Sequence, residues 1–312
     1  TPFQQQRLIA EVPLVIGNLP GVPYPVRNEA NRRLLTHYAV HREGLSAECV
    51  ELLGELALVL AEDPAGPPIS IVALDLSGEV PMLALGYGDL ERSTSLTWQV
   101  PGMASDAHAA LGTWNTASRN LQAQQEQLLV AAGGSAAGAA AVIAFLAYDT
   151  PDLLTVLSAR SARVGSRRLA AELDGATAVR RRTTPLSAHA VVAHSYGTPV
   201  AANALIRTRE PVQSFTMLGS AGLDDEWIRS LEQLHVERDT AGHPRVFTTM
   251  AAGDGLAPIG ARLAGRLQPN PRAVLPGGTG IAGAHVFDSG GRGRLLATDG
   301  HSVIGEGTRD PL

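Results

Sequence analysis

Three polar residues in the second half of the chain, Ser195, Asp254 and His301, have types and an order suited to nucleophilic catalysis. A serine hydroxyl is a poor nucleophile near neutral pH and needs a base, usually a histidine, to accept its proton. A carboxylate then orients the histidine ring and fixes its tautomer. We therefore predict Ser195 as the nucleophile, His301 as the base and Asp254 as the acid that orients the base.

The residues around Ser195 predict the turn that would expose its hydroxyl. Apolar residues 190–193 precede it, and helix-compatible sequence begins directly after it. Small residues stand two positions before and after the serine, at Ala193 and Gly197. This pattern is typical of a nucleophile elbow, a strained strand-to-helix turn whose usual motif is G-x-S-x-G. Ala193 departs from that motif by one methyl group, and the alternative is that Ser195 only caps a helix.

The contexts of Asp254 and His301 suit their predicted roles. Asp254 comes just after the predicted strand 245–250, and His301 lies in a glycine-containing loop. In sites built on a nucleophile elbow the order along the chain is serine, acid, histidine. The alternatives are that Asp254 closes a turn and that His301 is a solvated loop residue.

Other acids and histidines compete for the same roles. Asp224 and Asp225 follow the preceding predicted strand, so they are the reserve choice for the acid. His285 lies in an apolar segment and His243 precedes a proline, so both are weaker choices for the base.

Two sequence neighbours of the predicted residues are set aside. His194 directly precedes the serine, and the geometry of an elbow is expected to turn its side chain elsewhere, which favours a structural role. Asp299 is only two residues from His301, too close in sequence to be the preferred orienting acid.

Acyl transfer also needs hydrogen-bond donors for the oxyanion that forms on the substrate carbonyl. The first is expected from the backbone N–H of Tyr196, the residue after the nucleophile. The second is expected from the loop after the third strand, residues 101–104. There Gly102 permits close approach of the backbone, and the N–H of Met103 is the predicted donor. The alternative is that Pro101 and Gly102 form an ordinary turn.

The composition excludes several classes of chemistry and partner. The 312 residues are 45% hydrophobic, enough for a sizeable core, but no run approaches the roughly 18 apolar residues of a membrane span. The formal net charge of −5 gives no reason to expect nucleic acid as a partner. All 25 cationic residues are arginine, which excludes Schiff-base and lysine general-base chemistry.

No cofactor or metal is expected. The single cysteine, Cys49, excludes a cysteine-based zinc site and lies in a helical pattern, so it is predicted to be a packing residue. His37 and His41 have a helical spacing that can bind metal, but no acid lies between them as in H-E-x-x-H.

The order of predicted elements indicates an α/β fold. Prolines between positions 13 and 25 predict an irregular, extended arm over residues 1–30, and two helices follow before residue 62. From residue 69, strands alternate with helices, which implies a doubly wound, mostly parallel sheet. The predicted strands are 69–76, 82–86, 96–100, 141–148, 189–194, 212–218, 245–250 and 284–287. We predict a single domain, 1–312, with an N-terminal arm and helical extension (1–68) and a catalytic core (69–312).

The chain resembles the bacterial α/β hydrolases grouped as domain of unknown function 1023. The similar segments are GNLPGVP at 17–23, ANR at 30–32, VPGM at 100–103, AHSYG at 193–197, LGSAG at 218–222, GD at 253–254 and GHS at 300–302. The resemblance implies an α/β-hydrolase fold, with Ser195, Asp254 and His301 at the nucleophile, acid and base positions. The chain departs from the family at Ala193, where the family has glycine, and in the short segment after His301, where a final helix is expected.

These residues predict a metal-independent serine hydrolase that cleaves a carboxylic ester of a small molecule or lipid. Thioesterase, amidase and perhydrolase activities use the same triad and stay open, as does a non-catalytic binding protein on the same scaffold. The oligomeric state also stays open. No signal peptide is recognisable, and because the first residue is Thr1 a leader could have been removed, so the compartment is not assigned.

Overall fold

Helices and strands alternate along most of the chain in the computed structural model, which describes residues 2–61, 66–103, 105, 107–133, 138–151, 155–291 and 297–302. The helices are α1 (Pro2–Glu11), α2 (Pro13–Asn18), α3 (Tyr24–Val40), α4 (Ala47–Ala61), α5 (Ala107–Ala131), α6 (Arg160–Arg180), α7 (Gly197–Leu205) and α8 (Leu256–Leu263). The strands are β1 (Ile69–Asp75), β2 (Met82–Tyr87), β3 (Ser95–Val100), β4 (Ala140–Leu146), β5 (Ala188–His194), β6 (Ser214–Leu218), β7 (Val246–Thr249), β8 (Leu267–Gln268), β9 (Thr279–Gly280) and β10 (His285–Val286). All eight predicted strands are present with ends within two residues of the prediction, whereas the helices α1, α2 and α8 and the strands β8 and β9 were not predicted.

The chain folds as two compact units. The first contains Thr1–Gln99, Ala104–Asp149 and Ala171–His189, and the second contains Val100–Met103, Thr150–Ala170 and Ala190–Leu312.

The sheet of the first unit has the strand order β1-β2-β4-β3. β2 is antiparallel to both β1 and β4, whereas β3 and β4 run parallel. All seven residues of β4 are buried, as its uninterrupted apolar sequence AAVIAFL requires. Such runs are typical of strands that are covered on both faces.

The N-terminal residues are helical, so the prediction of an extended arm over residues 1–30 is wrong. Pro13 lies in the first turn of α2, Pro23 is the N-cap of α3 and Pro25 lies in its first turn. Proline is favoured at these positions because first-turn N–H groups have no partner within the helix and its fixed φ suits the helix. These prolines therefore begin helices, where the sequence pattern indicated irregular chain.

Asparagine side chains of α2 and α3 bind the backbone of the edge strand β1. Asn18 Oδ1 accepts from the N–H of Leu74 at 2.9 Å, and its Nδ2 donates to the Leu74 carbonyl at 2.8 Å. The N–H of Ile71 donates to Asn28 Oδ1, and the carbonyl of Ile71 accepts from Asn31 Nδ2. Unpaired edge groups would otherwise be open to other chains. The helices thus supply partners to the backbone groups of Ile71 and Leu74 in β1.

The sheet of the second unit has the order β5-β6-β7-β10, and every neighbouring pair is parallel. In this register Ala193 pairs with Met217, which in turn pairs with Thr248. Because parallel strands end at the same edge, the residues that follow β5, β6 and β7 emerge together. The predicted nucleophile and acid lie in two of these three connections.

None of the helices in the described ranges combines the length and the apolar character needed to cross a bilayer.

Candidate active site

Ser195 occupies a strained turn between β5 and α7. Its φ is +52°, and among the described residues it is the single non-glycine residue with a positive φ. For an L-residue this conformation is disfavoured by contacts of the Cβ atom, and such strain persists only where the surroundings enforce it. The turn has the backbone conformation that a nucleophile elbow requires.

Hydrogen bonds hold this strained turn in place. The Ser195 N–H donates to the Leu218 carbonyl at 3.0 Å, which continues the β5–β6 pairing by one residue. The Ser195 carbonyl accepts from the Thr198 hydroxyl at 2.7 Å and from the Ala221 N–H at 3.3 Å. The Thr198 hydroxyl is also 3.0 Å from the Ser220 hydroxyl.

The two small residues that flank Ser195 in the motif are not equivalent. A Cβ atom at Gly197 would collide with the carbonyl oxygens of Val100 and Pro101, so no larger residue fits there without movement of the backbone. Ala193 is fully buried, and its methyl group is accommodated. The departure from the usual motif is therefore at the position that tolerates it.

Ser195, His301 and Asp254 form a continuous chain of hydrogen bonds. His301 Nδ1 is 2.8 Å from Asp254 Oδ2, and His301 Nε2 is 2.8 Å from Ser195 Oγ. Because an ionised carboxylate can only accept, Nδ1 carries the proton and Nε2 is free to accept from the serine hydroxyl. The structure thus brings together the three residues predicted as nucleophile, base and acid.

Asp254 is held as a carboxylate at the start of α8. Its Oδ1 accepts from the N–H groups of Leu256 and Ala257 at 3.0 and 3.1 Å. Burial raises the pKa of Asp254, but the hydrogen bond from His301 and these two N–H groups outweigh burial, so the net pKa lies below its ordinary value. The carboxylate stays charged near neutral pH, as an orienting acid must.

Glycines allow the acid and base loops to approach closely. Gly219 has a φ of +50°, and a Cβ atom there would lie 2.9 Å from Asp254 Oδ2 and 3.3 Å from His301 Nδ1. A Cβ atom at Gly253 would collide with the carbonyl oxygen of Asp299. Asp299 therefore contributes backbone packing between these loops, and its side chain is not the partner of His301 Nδ1.

The predicted oxyanion loop lies against the serine. A Cβ atom at Gly102 would stand 2.6 Å from Ser195 Cβ and 3.1 Å from Ser195 Oγ. Met103, the predicted donor, directly follows this glycine, and Ala104 lies outside the described residues. On the other side of the serine, Tyr196 occupies the N-cap position of α7.

The Tyr196 side chain is anchored in the second unit. Its hydroxyl donates to the Ser158 carbonyl at 2.6 Å and accepts from the Ala162 N–H at 3.3 Å. The buried guanidinium of Arg266 lies 4.8 Å from the centre of the tyrosine ring. Burial raises the pKa of Tyr196, so the phenol is neutral near pH 7. These contacts fix the residue whose N–H is the other predicted oxyanion donor.

The structure does not bring the competing residues to Ser195. Asp224 is buried in an ion pair with Arg163, with N–O distances of 2.8 and 3.1 Å. Asp239 lies 3.8 Å from His243 and 3.5 Å from His285, and both histidines are exposed.

The histidines at positions 37 and 41 stack with their ring centres 4.5 Å apart. Within the ranges described by the structure, no group of three or more histidine, cysteine, aspartate or glutamate side chains has an arrangement that could hold a metal ion.

Sequence reasoning missed one contact of the base. His194 Nε2 lies 2.6 Å from the backbone carbonyl oxygen of His301, and the two rings are 4.8 Å apart. No local pattern identifies this contact, because it joins residues 107 positions apart.

The chain is similar to one protein family and to several known proteins. A family model described as alpha/beta hydrolase matches residues 77–264. Two uncharacterized proteins of Mycobacterium tuberculosis, from strains CDC 1551/Oshkosh and ATCC 25618/H37Rv, are each 27% identical to the chain over 308 residues. The alignment covers 83% of this chain and 42% of each relative, so the chain spans less than half the length of these relatives.

Among solved structures, the esterase PE8 is similar with a TM-score of 0.41 and 18% identity over 71% of this chain and 92% of that chain. Dienelactone hydrolase from Anabaena variabilis ATCC 29413 has a TM-score of 0.35 and 14% identity, covering 71% and 86%. A feruloyl esterase module from Clostridium thermocellum complexed with sinapinate has a TM-score of 0.39 and 10% identity, covering 73% and 83%.

The family match confirms the predicted α/β-hydrolase fold with its mostly parallel central sheet. Since the matched residues 77–264 make up more than half of the sequence, the chain belongs to the alpha/beta hydrolase family.

Proposed function

We propose that this protein is a serine hydrolase that cleaves carboxylic esters of a small molecule or lipid through an acyl-enzyme. The observation that carries the proposal is the chain of hydrogen bonds from Ser195 through His301 to Asp254, with 2.8 Å at each step. Both distances are within the range needed for proton transfer to and from a catalytic base. The positive φ of Ser195 adds support, because strain of this kind clusters at functional sites.

In the first half of the proposed reaction, Ser195 Oγ attacks the ester carbonyl carbon while His301 Nε2 accepts the hydroxyl proton. The imidazolium then donates this proton to the alcohol oxygen as the bond between the carbonyl carbon and that oxygen breaks. The alcohol leaves, and the acyl group stays on Ser195. Asp254 holds the Nδ1–H of His301 throughout and stabilises the imidazolium by its negative charge.

In the second half, a water molecule takes the place of the alcohol. His301 Nε2 accepts a proton from the water, whose oxygen attacks the acyl carbon. The bond from the acyl carbon to Ser195 Oγ then breaks, and His301 returns the proton to the serine. The products are a carboxylic acid and the free enzyme, so the cycle needs no cofactor.

The backbone N–H groups of Tyr196 and Met103 are the proposed donors to the oxyanion in both halves. Support comes from the closeness of Gly102 to Ser195, which brings the loop of Met103 to the nucleophile. The anchored side chain of Tyr196 supplies the rigidity that such donors need. Loss of one donor of this type typically costs about 100- to 1,000-fold in kcat.

We also propose that residues 69–312 form the catalytic core of a single domain and that residues 1–68 extend it. All five proposed catalytic and oxyanion residues have numbers above 69. The asparagines of α2 and α3 instead bind the backbone of β1, which is a structural task.

A fluorophosphonate probe tests the proposed nucleophile, since it reacts with activated serines. We expect stoichiometric labelling of the wild type and none of Ser195→Ala. Ser77→Ala is the matched control, because Ser77 is exposed in the turn after β1, and it should label like the wild type. Unlabelled wild-type protein would favour the non-catalytic binding protein, and labelling of Ser195→Ala would contradict the assignment of the nucleophile.

The bond that is cleaved can be identified with matched substrates. A chain-length series of p-nitrophenyl esters should show turnover that disappears in Ser195→Ala. Thioesters and anilides with the same acyl groups test the thioesterase and amidase alternatives, and peroxide-dependent activity with weak ester turnover would identify a perhydrolase. A higher kcat/KM for any of these than for the esters would replace the ester proposal.

A further inference from the structure

His194 contacts the main chain of the proposed catalytic base. Its Nε2 atom lies 2.6 Å from the backbone carbonyl oxygen of His301. A carbonyl oxygen can only accept a hydrogen bond, so the proton of this imidazole is on Nε2. Burial, together with the nearby His301, lowers the pKa of His194 to about 4. The ring is therefore neutral near pH 7 and donates through Nε2.

The backbone of His194 is itself fixed by the sheet. His194 is the last residue of β5 and pairs with Leu218 of β6. The next residue, Ser195, donates its N–H to the same Leu218. One rigid strand end thus carries both the proposed nucleophile and the donor that holds the main chain of the base.

The contacts of the His301 ring differ in kind from the contact of its backbone. The ring is bound at Nδ1 by Asp254 and at Nε2 by Ser195, each at 2.8 Å. The bond at Nε2 must break and re-form as the proton moves in each half of the reaction. The bond from His194 to the backbone carbonyl does not take part in proton transfer, so it can stay constant through the cycle.

We propose that His194 is a positioning residue, whose Nε2–H fixes the main chain of His301 so that one ring orientation reaches both Ser195 and Asp254. The inference rests on the proposed hydrolase function. It also explains why a neutral side chain suits this position: a second cation 4.8 Å from the imidazolium formed on His301 would repel it.

Two substitutions of His194 separate the effect of its hydrogen bond from the effect of its aromatic ring. Gln can place an amide N–H where His194 Nε2 lies, whereas Phe keeps a ring and removes the donor. We expect His194→Gln to keep kcat within about threefold of the wild type. We expect His194→Phe to lower kcat about 30- to 100-fold with KM within about twofold, because misplacement of a catalytic group acts on the chemical step.

His189→Phe is the matched control for loss of stability. His189 lies on the same strand and accepts a hydrogen bond from Trp98 Nε1 at 3.1 Å. The same substitution there should lower the melting temperature but leave kcat within about twofold, because the hydrogen bond that it removes is the one from Trp98. If His189→Phe lowers kcat as much as His194→Phe, the positioning role is wrong.

A spectroscopic readout reports the position of the base directly. In proton NMR, the Nδ1–H of His301 that binds Asp254 should give a downfield resonance in the wild type and in His194→Gln. This resonance should be lost or shifted in His194→Phe. Unchanged kcat and an unchanged resonance in a folded His194→Phe would overturn the proposal.

A shorter amide keeps the test decisive if His194→Phe does not fold. Asn cannot reach the His301 carbonyl that Gln reaches, so His194→Asn should have a lower kcat whereas His194→Gln should retain it. Equal activity of the two variants would overturn the inference.

Fluorophosphonate labelling of the wild type is measured first. Its absence would refute the hydrolase function itself, whereas its presence with a fully active His194→Asn would refute only the role of His194.

Discussion

Gly102 lies directly against Ser195, with a distance of only 2.6 Å from the position of a Cβ atom at residue 102 to Ser195 Cβ. Real side-chain atoms do not approach so closely, so either the loop or the serine must move when residue 102 has a side chain. The proposed oxyanion donor Met103 is on the same loop. A side chain at residue 102 would therefore disturb the proposed nucleophile Ser195, the proposed oxyanion donor Met103, or both.

Gly102→Ala should lower kcat about 100-fold or more, because it displaces Ser195 Oγ from His301 or Met103 N–H from the oxyanion. Steady-state kinetics with a p-nitrophenyl ester measures the effect. Gly112→Ala is the matched control: it lies in α5, a Cβ atom there meets nothing within 4 Å, and removal of a helical glycine should stabilise the protein by about 0.5–1 kcal/mol. Wild-type kcat in Gly102→Ala would contradict the proposed geometry.

Asp254→Asn should lower kcat by about 1,000- to 10,000-fold, because a neutral amide cannot hold the Nδ1–H tautomer or stabilise the imidazolium. The amide oxygen can still accept from the N–H groups that begin α8, so the fold should persist. Circular dichroism and fluorophosphonate labelling rates check both points.

The matched control is Asp224→Asn, at the reserve choice for the acid. It breaks a largely buried ion pair with Arg163, so it should cost about 3 kcal/mol of stability and leave kcat within about threefold. If Asp224→Asn abolishes activity and Asp254→Asn does not, the two acids have been assigned in the wrong order.

The stability of the protein should fall as the pH drops from about 6.5 to about 4. Burial, with the charge of Arg180, lowers the pKa of His189 to about 4. Between the two pKa values the unfolded chain binds a proton at this residue and the folded chain does not, so acidification favours unfolding. This effect of His189 lowers the free energy of unfolding by at most about 3 kcal/mol. The loss is complete near pH 4 and absent above pH 7.

Urea unfolding at pH 7 and pH 4.5 measures this loss, and His189→Gln isolates it. The Gln amide oxygen can accept the hydrogen bond from Trp98 but does not titrate. The fall in unfolding free energy between the two pH values should therefore be smaller in His189→Gln, by up to about 3 kcal/mol. An equal fall in both proteins would show that other groups cause the acid sensitivity.

Asn18→Ala should lower the free energy of unfolding by about 1–3 kcal/mol. The substitution leaves both the N–H and the carbonyl of Leu74 without the partner they have in the wild type. Gln5→Ala, at an exposed position of α1, should change stability by less than about 0.5 kcal/mol. Equal melting curves for Asn18→Ala and the wild type would mean that water replaces the side chain at the β1 edge.

Much of the fold could be predicted from local patterns. The strand sequences are apolar runs bounded by turn residues, and the alternation with helices implies parallel pairing in β3–β4 and in β5 to β7. The main error was at the N-terminus, where proline is compatible with both an irregular arm and the first turn of a helix. Composition alone does not separate these two outcomes. In the structure, asparagines carried by α2 and α3 bind the backbone of the edge strand β1, a long-range contact that composition does not reveal.

The sequence by itself determined which residues could form the site: the serine between small neighbours, an acid after a later strand and a histidine in a glycine-containing loop. Only the tertiary structure decided that these groups meet, that Gly102 lies against Ser195 and that His194 holds the backbone of His301. The physical reason is that residue types and spacings express local backbone preferences. Contacts between residues about 100 positions apart depend on strand register and loop paths, which the packing of the whole chain sets.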